Sequence, residues 1–133
     1  MKTFFVTGGA GFIGGNFILH LMKTNQAKII NYDKLTYAGN LDTLVSVEKN
    51  PHYTFEQGDI CDKNRLKNLF EKHEIDTVVH FAAESHVDRS IETPGDFIQT
   101  NVVGTYELLE VTRWYWQELS ATRKKNFRFL HVS

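Results

Sequence analysis

The sequence predicts an α/β fold built on a doubly wound parallel sheet, with the strand order 3-2-1-4-5. Short β-prone runs alternate with helical patterns along the 133 residues, a glycine-rich turn follows the first strand, and an acidic residue ends the second. This alternation implies βαβ units with right-handed crossovers. A chain of this length can bury a substantial core, so we expect residues 1–133 to form one domain.

Five runs are predicted to be strands because they are rich in β-branched and aromatic residues and end at turn-forming residues. The first, Lys2-Thr3-Phe4-Phe5-Val6-Thr7, is largely apolar and stops at a pair of glycines, which indicates a buried strand. The other four runs are 27–32, 53–57, 76–81 and 127–132.

The segments between the strands show helical spacing of apolar residues. Ile13, Phe17 and Leu21 recur at every fourth position and form one apolar face of a helix over 13–23. An amphipathic helix follows the third strand, and Asp62 is its natural N-cap. The residues of that helix predicted to face inward are Leu66, Leu69 and Phe70, and the predicted helices after the first are 41–48, 62–73 and about 95–120.

The long last helix has two unusual features. Trp114, Tyr115 and Trp116 crowd one turn, and because three consecutive side chains cannot all face one core, at least one is expected to be exposed. Gly104 lies in the interior of the same helix, where glycine costs about 1 kcal/mol relative to alanine. Its presence indicates close packing against the sheet or a ligand.

The composition argues against several classes of protein. Fifteen basic and 16 acidic residues leave a net charge of −1, so no global field draws the chain to nucleic acid or to an anionic membrane. The basic run Arg123-Lys124-Lys125 is expected to be a solvated loop. A single cysteine, Cys61, together with no recognisable signal peptide or membrane span, predicts a cytoplasmic location. The six histidines lack metal-ligand spacing, so no metal site is expected.

A glycine motif joins the first strand to the first helix. In Thr7-Gly8-Gly9-Ala10-Gly11-Phe12-Ile13-Gly14, the glycines Gly8, Gly11 and Gly14 recur at a spacing of three. In nucleotide-binding folds such glycines make a tight turn, let the backbone approach a pyrophosphate and let the helix pack closely. The phosphates then face the helix N-terminus, where free N–H groups favour an anion. A purely structural glycine turn is the alternative.

Acidic residues end the second and third strands at the same edge of the sheet. Asp33 lies 19 residues after Gly14, where a carboxylate accepts both hydroxyls of an adenosine ribose and repels a 2′-phosphate. NAD is therefore favoured over NADP, although the neighbouring cation Lys34 leaves NADP open. Asp59 could reach the adenine amine while Ile60 packs on the ring, and a plain helix N-cap is the alternative.

The end of the fourth strand also predicts a ligand site. Ala82 and Ala83 are small enough for a flat cofactor to lie against the backbone. Ser85, His86 and Arg89 follow and supply hydrogen-bond donors where a phosphorylated substrate could lie.

Five segments carry a more specific likeness: T-G-G-A-G-F-I-G, Y-D-K-L-T-Y-A-G-N-L, G-D-I-C-D, A-A-E-S-H-V-D-R-S-I and T-N-V-V-G-T. Together they resemble the dTDP-glucose 4,6-dehydratases, extended short-chain dehydrogenase/reductases of deoxysugar (rhamnose-type) biosynthesis. The likeness runs from residue 3 to the last residue. The related UDP-sugar epimerases usually carry D-N after strand 2 and lack the E-S-H-V-D-R-S run, and GDP-mannose dehydratases prefer NADP.

The resemblance implies a Rossmann-type NAD-binding domain whose cofactor contacts lie at the sheet edge and at the start of the long helix. With the glycines of the motif, the candidate cofactor-binding residues are Gly8, Gly11, Phe12, Ile13, Gly14, Asp33, Lys34, Leu35, Thr36, Asp59, Ile60, Phe81, Ala82, Ala83, Glu84, Ser85 and Thr100. In this family the residue at Ser85 also contacts the sugar nucleotide.

The resemblance further implies conversion of dTDP-glucose to dTDP-4-keto-6-deoxyglucose and water through transient reduction of NAD, in an enzyme that is usually a homodimer. In the family, strand 5 continues into T-D-E-V-Y-G and a Tyr-x-x-x-Lys pair follows, both beyond Ser133. We therefore expect a domain truncated after strand 5, with no catalytic residue and no substrate domain, that binds NAD without turnover. The alternatives are a non-catalytic NAD-binding module and a related sugar-nucleotide epimerase or dehydratase.

Overall fold

The computed structural model describes residues 1–35, 41–81 and 99–132, of which residues 99–101 are described by their backbone alone. Within these ranges one sheet contains five strands, and every pair of neighbours is parallel. The strands are β1 (Lys2–Thr7), β2 (Ala27–Asp33), β3 (Tyr53–Gln57), β4 (Thr77–His80) and β5 (Arg128–His131). Their order, β3-β2-β1-β4-β5, confirms the predicted doubly wound topology.

The helices differ in detail from the prediction. The segment predicted as a helix over 41–48 is a 3₁₀ helix. Within the described residues, the helix predicted over about 95–120 is a π-helical segment followed by an α-helix, and a short helix that was not predicted comes after it. The described part of the chain contains α1 (Phe12–Lys23), the 3₁₀ helix (Asp42–Val47), α2 (Lys63–His73), the π-helical segment (Gln99–Gly104), α3 (Thr105–Gln117) and α4 (Ala121–Asn126). Gly104 is buried and marks the change from π- to α-helical geometry.

One face of the sheet is covered by α2 and α3. Phe5 on β1 is fully buried there and meets Phe70 of α2 edge to face, with ring centroids 4.8 Å apart. Phe70 in turn packs edge to face on Tyr115 of α3 at 5.4 Å. The predicted inward residues of α2 are therefore confirmed: Leu66, Leu69 and Phe70 are all buried.

The opposite face is covered by α1 and the 3₁₀ helix, so the molecule has three layers. Val6 and Ile29 of the sheet pack there with Ile18 of α1 and Leu44 of the 3₁₀ helix. The buried face of α1 differs from the predicted one. Ile13, which was predicted to lie on the apolar face, is 65% exposed beside the glycine turn. The residues of α1 that are buried are Gly14, Gly15, Ile18 and Met22.

The prediction of a solvated loop at the basic run is wrong, since this run lies in α4 and its first residue is anchored. The Arg123 guanidinium donates to the carbonyl oxygens of Glu74 and Ile75 at 3.1 and 3.2 Å. It also donates to Asp76 Oδ1 at 3.1 Å and to the Tyr115 hydroxyl at 3.2 Å. All four oxygens lie around one guanidinium nitrogen, Nη2, which has two N–H groups, so they share its donors, and this side chain links the entrance to β4 with α3.

The aromatic residues of α3 are distributed as predicted. Tyr115 is 6% exposed, Trp114 packs partly buried against the core, and Trp116 remains 39% exposed. Among the described helices, none is both long and apolar enough to cross a membrane. The cytoplasmic location stays a prediction.

Candidate nucleotide-binding site

The carboxyl ends of the central strands meet at one edge of the sheet. After β1 the chain builds β2 and β3 on one side, and β4 and β5 lie on the other, so the order of strands reverses between β1 and β4. Ligands of open α/β sheets bind at such a reversal, outside the carboxyl ends of the strands. Thr7 ends β1 there, paired with Tyr32 on one side and with His80 on the other.

The glycine turn that follows Thr7 uses its glycines for different reasons. Gly8 has a φ of +73°, a conformation that residues with a Cβ rarely adopt. A Cβ on Gly14 would lie 2.3 Å from the Gly8 carbonyl oxygen, so this glycine lets α1 pack on the turn. At Gly11 φ is −81°, and a Cβ would lie 3.4 Å from that same oxygen, which is ordinary contact. The backbone conformation therefore requires glycine at 8 and packing requires it at 14, whereas a side chain at 11 would meet the protein only at ordinary contact distance.

Gly9 is a further required glycine that the spacing of three does not reveal. A Cβ there would lie 2.1 Å from Asn31 Oδ1 and 2.5 Å from Ile18 Cδ1. Asn31 is fully buried on β2, and its amide nitrogen donates to the Tyr53 hydroxyl at 3.0 Å. The sequence shows two adjacent glycines at this point. It does not show which side chain lies against Gly9, because that depends on the position of β2.

The N-terminus of α1 is open toward this edge. Gly11 is its N-cap and has no side chain to cap the helix, and the first turn contains no acidic residue. The first N–H groups of a helix have no intrahelical acceptor, so the helix start is electropositive and can bind an anion. Phe12 and Ile13 are 83% and 65% exposed at this point. Their backbone and side chains are accessible, as expected for the predicted cofactor contacts.

Asp33 contacts the glycine turn directly. Its Oδ2 accepts a hydrogen bond from the Ala10 N–H at 3.0 Å, and its Oδ1 accepts from the Leu35 N–H at 2.8 Å. Leu35 adopts a φ of +58° as the chain turns away from the sheet. Two backbone donors therefore orient the Asp33 carboxylate, which is predicted to bind the ribose, beside the turn, which is predicted to bind the pyrophosphate.

Asp59 lies at the end of β3 and is not the cap of α2. Asp62 is the cap, as predicted, and its Oδ1 accepts from the Arg65 N–H at 3.2 Å. Asp59 Oδ1 accepts from the Cys61 N–H at 2.9 Å, and Asp59 Oδ2 lies 3.3 Å from Lys34 Nζ. Burial alone would raise the pKa of the Asp59 carboxyl, but these two partners outweigh burial and hold the pKa below its usual value.

Several other predicted contacts are placed differently or lie outside the described residues. Ile60 is 6% exposed and packs in the core, so it presents mainly its backbone to the edge. The Phe81 ring packs on Phe17 of α1 at 5.5 Å, and its N–H donates to the Thr7 carbonyl at 2.9 Å. Thr100 belongs to the π-helical segment. The predicted residues outside the described ranges are Thr36, Ala82, Ala83, Glu84 and Ser85, together with His86 and Arg89.

A buried histidine joins the elements that surround this edge, which the sequence did not reveal. His80 is fully buried, with Nδ1 2.6 Å from Thr7 Oγ1 and Nε2 2.9 Å from Thr105 Oγ1. Its ring stacks on His131 of β5 at 4.9 Å. A neutral imidazole has one N–H and one lone pair, so it can satisfy both threonines. The signal for this contact in the sequence was a polar residue at the last position of each of the two strands, after the apolar pairs Phe5-Val6 and Val78-Val79.

Burial holds His80 in its neutral form. Removal from water, and to a smaller extent the neighbouring His131, lower its pKa from 6.5 to about 4. Within the described residues, no group of three or more histidine, cysteine, aspartate or glutamate side chains is arranged to hold a metal ion.

A family model described as GDP-mannose 4,6 dehydratase matches residues 5–133. The chain belongs to this family. The dTDP-glucose 4,6-dehydratase of Xanthomonas campestris pv. campestris is 58% identical over 133 residues, which cover 100% of this chain and 38% of that protein. The resemblance found in the sequence is therefore confirmed.

Solved structures show the same fold. A dTDP-glucose 4,6-dehydratase from Bacillus anthracis in complex with NAD superimposes with a TM-score of 0.83 at 34% identity, covering 100% of this chain and 37% of that one. A UDP-glucose 4-epimerase from Thermotoga maritima with UDP-glucose gives a TM-score of 0.75 at 32% identity, covering 86% of this chain and 35% of that one. This chain thus spans little more than a third of the length of its relatives.

His80 is expected to make the chain less stable as the pH falls. Below pH 6.5 the unfolded chain binds a proton at this residue that the folded chain does not bind until about pH 4. Because of His80, the free energy of unfolding therefore falls by up to about 3 kcal/mol between pH 7 and pH 4. Urea unfolding measured from pH 7 to pH 4 should show this loss.

The variant His80→Gln removes the titrating group and should flatten the dependence of stability on pH in this range. His20→Gln, at an exposed position on α1, is the control and should leave the dependence unchanged. An equal slope in wild type and His80→Gln would contradict the prediction.

Proposed function

We propose that this chain binds NAD, with the pyrophosphate at the glycine turn and the adenosine ribose at Asp33. The observation that carries the proposal is the contact between the Asp33 carboxylate and the Ala10 N–H at 3.0 Å, which places the ribose acceptor beside the open N-terminus of α1. The residues fit a dinucleotide because Gly11 leaves space for a phosphate and Asp33 supplies the acceptors. The B. anthracis relative is itself a complex with NAD.

The proposed cofactor contacts extend along the sheet edge from this point. Asp59 and the backbone of Ile60 lie toward the adenine, at the end of β3. The segment after β4 is proposed to face the nicotinamide, with Ser85 also contacting the substrate. The full set is Gly8, Gly11, Phe12, Ile13, Gly14, Asp33, Lys34, Leu35, Thr36, Asp59, Ile60, Phe81, Ala82, Ala83, Glu84, Ser85 and Thr100.

Each element of this edge has a physical task in the proposal. The first turn of α1 directs N–H groups and partial positive charge at the two phosphates. Asp33, oriented by Ala10 and Leu35, accepts the ribose hydroxyls. NAD, when bound, supplies a hydride acceptor at its nicotinamide ring. The chain's own contribution is to bind and orient the dinucleotide, and no catalytic residue is assigned among residues 1–133.

Gly11→Ala should weaken NAD binding while the fold persists. A Cβ at position 11 meets the protein only at ordinary contact distance, so we expect less than about 1 kcal/mol of destabilisation from the altered N-cap. The methyl group would occupy the approach of the pyrophosphate, and we expect at least about a tenfold rise in the Kd for NAD, measured by isothermal titration calorimetry.

Gly14→Ala is the matched control for this substitution. Its Cβ would lie 2.3 Å from the Gly8 carbonyl oxygen, so thermal unfolding should show a large loss of stability. Unchanged NAD affinity in a folded Gly11→Ala chain would contradict the placement of the phosphates.

We propose that the substrate of the protein is dTDP-glucose, converted to dTDP-4-keto-6-deoxyglucose and water with NAD as the transient hydride acceptor. The support is the name of a relative: a dTDP-glucose 4,6-dehydratase is 58% identical to this chain over all 133 residues. An epimerase is the second candidate, because its structure also matches this fold.

Product analysis separates these candidates. The protein expressed from its complete coding sequence should convert dTDP-glucose to the 4-keto-6-deoxy sugar and leave UDP-glucose unepimerised. Residues 1–133 expressed alone should bind NAD and convert neither sugar. Epimerisation of UDP-glucose by the complete protein, or turnover by residues 1–133 alone, would contradict the corresponding part of the proposal.

We propose that the face of α3 turned away from the sheet is a subunit contact in a homodimer. Tyr106 and Leu109 of α3 are 58% and 46% exposed, and Val102 of the preceding π-helical segment, four residues before Tyr106, is 62% exposed. An apolar stripe of this kind on a surface helix is typical of helix–helix association.

Leu109→Glu in the complete protein should shift the mass measured by sedimentation velocity from dimer to monomer, because it buries a charge in the contact. Val45→Glu introduces the same charge at a 56% exposed valine of the 3₁₀ helix and is the control that should remain dimeric. A dimer that survives Leu109→Glu would place the contact elsewhere.

A further inference from the structure

An ion pair connects the ends of two neighbouring strands at the candidate site. Lys34 Nζ lies 3.3 Å from Asp59 Oδ2, and the two side chains are 60% and 40% exposed. Lys34 directly follows Asp33 at the end of β2, and Asp59 lies just past the end of β3. The pair therefore lies at the edge where the adenosine half of the dinucleotide is proposed to bind.

The backbone around Lys34 is held against β3, which keeps its side chain within reach of Asp59. The Gly58 N–H donates to the Asp33 carbonyl at 3.0 Å, and Gln57 Nε2 lies 3.4 Å from the Lys34 carbonyl oxygen. On the Asp59 side, the Cys61 N–H fixes Oδ1 and leaves Oδ2 to the ammonium. Both partners are thus positioned from the backbone.

This arrangement bears on the choice between two dinucleotides that differ by one phosphate. A 2′-phosphate on the adenosine ribose adds negative charge next to Asp33 and requires a cation nearby. Lys34 is adjacent to Asp33 in sequence and supplies a cation at this edge, but its ammonium is already paired with a carboxylate. The Asp33 carboxylate repels the 2′-phosphate. How much of this repulsion is offset depends on whether the Lys34 ammonium is available to the phosphate or paired with Asp59.

We propose that Asp59 is a specificity-determining residue, which favours NAD over NADP by holding the Lys34 ammonium in an ion pair and so withholding it from a 2′-phosphate. This inference rests on the proposed binding of NAD. It assigns to Asp59 a role that depends on Lys34, separate from any contact that Asp59 makes with the adenine.

The test is the ratio of the Kd for NADP to the Kd for NAD, measured by calorimetry on wild type, Asp59→Asn, Lys34→Met and the double variant. Both dinucleotides carry the same adenine, so a lost adenine contact cancels in the ratio. Asparagine keeps an acceptor for the Cys61 N–H. In Asp59→Asn the ratio should fall about two- to fivefold, the range typical of partly exposed ion pairs, and less at higher salt.

The fall in the ratio of the two Kd values should occur only when Lys34 is present. In the double variant the ratio should not fall below that of Lys34→Met, because no ammonium is released. Glu107→Gln is the matched control: it breaks the Lys63–Glu107 pair, which has the same length of 3.3 Å on α2 and α3, and should leave the ratio unchanged.

Two outcomes would overturn the inference while leaving the proposed function intact. The first is NAD binding with an unchanged ratio in Asp59→Asn. The second is a fall of the same size in the double variant, which would show that Asp59 repels the phosphate directly. If wild type binds neither dinucleotide, the proposed function fails, and the inference fails with it.

Discussion

The central position of β1 is the constraint on which the rest of the structure depends. Thr7 is paired with Tyr32 of β2 and with His80 of β4, so the last residue of the first strand has neighbours on both sides. Phe5 and Val6, just before it, are fully buried and anchor one core on each face of the sheet. A slip of one residue would exchange these two faces. The register therefore also determines where the glycine turn begins and which strand ends surround it.

The polar contacts at the site edge follow from this register and stabilise it in return. His80 is fully buried and would cost free energy without partners, but Thr7 and Thr105 lie on opposite sides of its ring. The contact joins β1, β4 and the start of α3, the elements from which the proposed cofactor contacts arise. Asp33 does the same between β2 and the glycine turn through Ala10. The edge is thus organised by a few side chains whose partners are backbone groups or threonines.

Local regularities made much of the fold predictable. Strands and helices were recognisable because strand-forming runs and apolar residues spaced four apart are patterns that extend over only a few residues. The observed boundaries of β4 and β5 differ from the predicted ones by a single residue at each end. The short helix after the long one was not predicted, although Ser120 caps it by accepting from the Arg123 N–H at 3.3 Å. The basic run looked solvated because three of the four partners of Arg123, at residues 74, 75 and 76, lie 47 to 49 residues earlier in the chain.

By itself the sequence determined the doubly wound class, the glycine turn and the acidic ends of β2 and β3, since each is carried by residues close together along the chain. Only the tertiary structure decided that Gly9 must be glycine against Asn31 and that Asp59 pairs with Lys34. These contacts join residues more than 20 positions apart. Such residues meet only when the strands have paired in register, so no local pattern contains the information about which of them will touch.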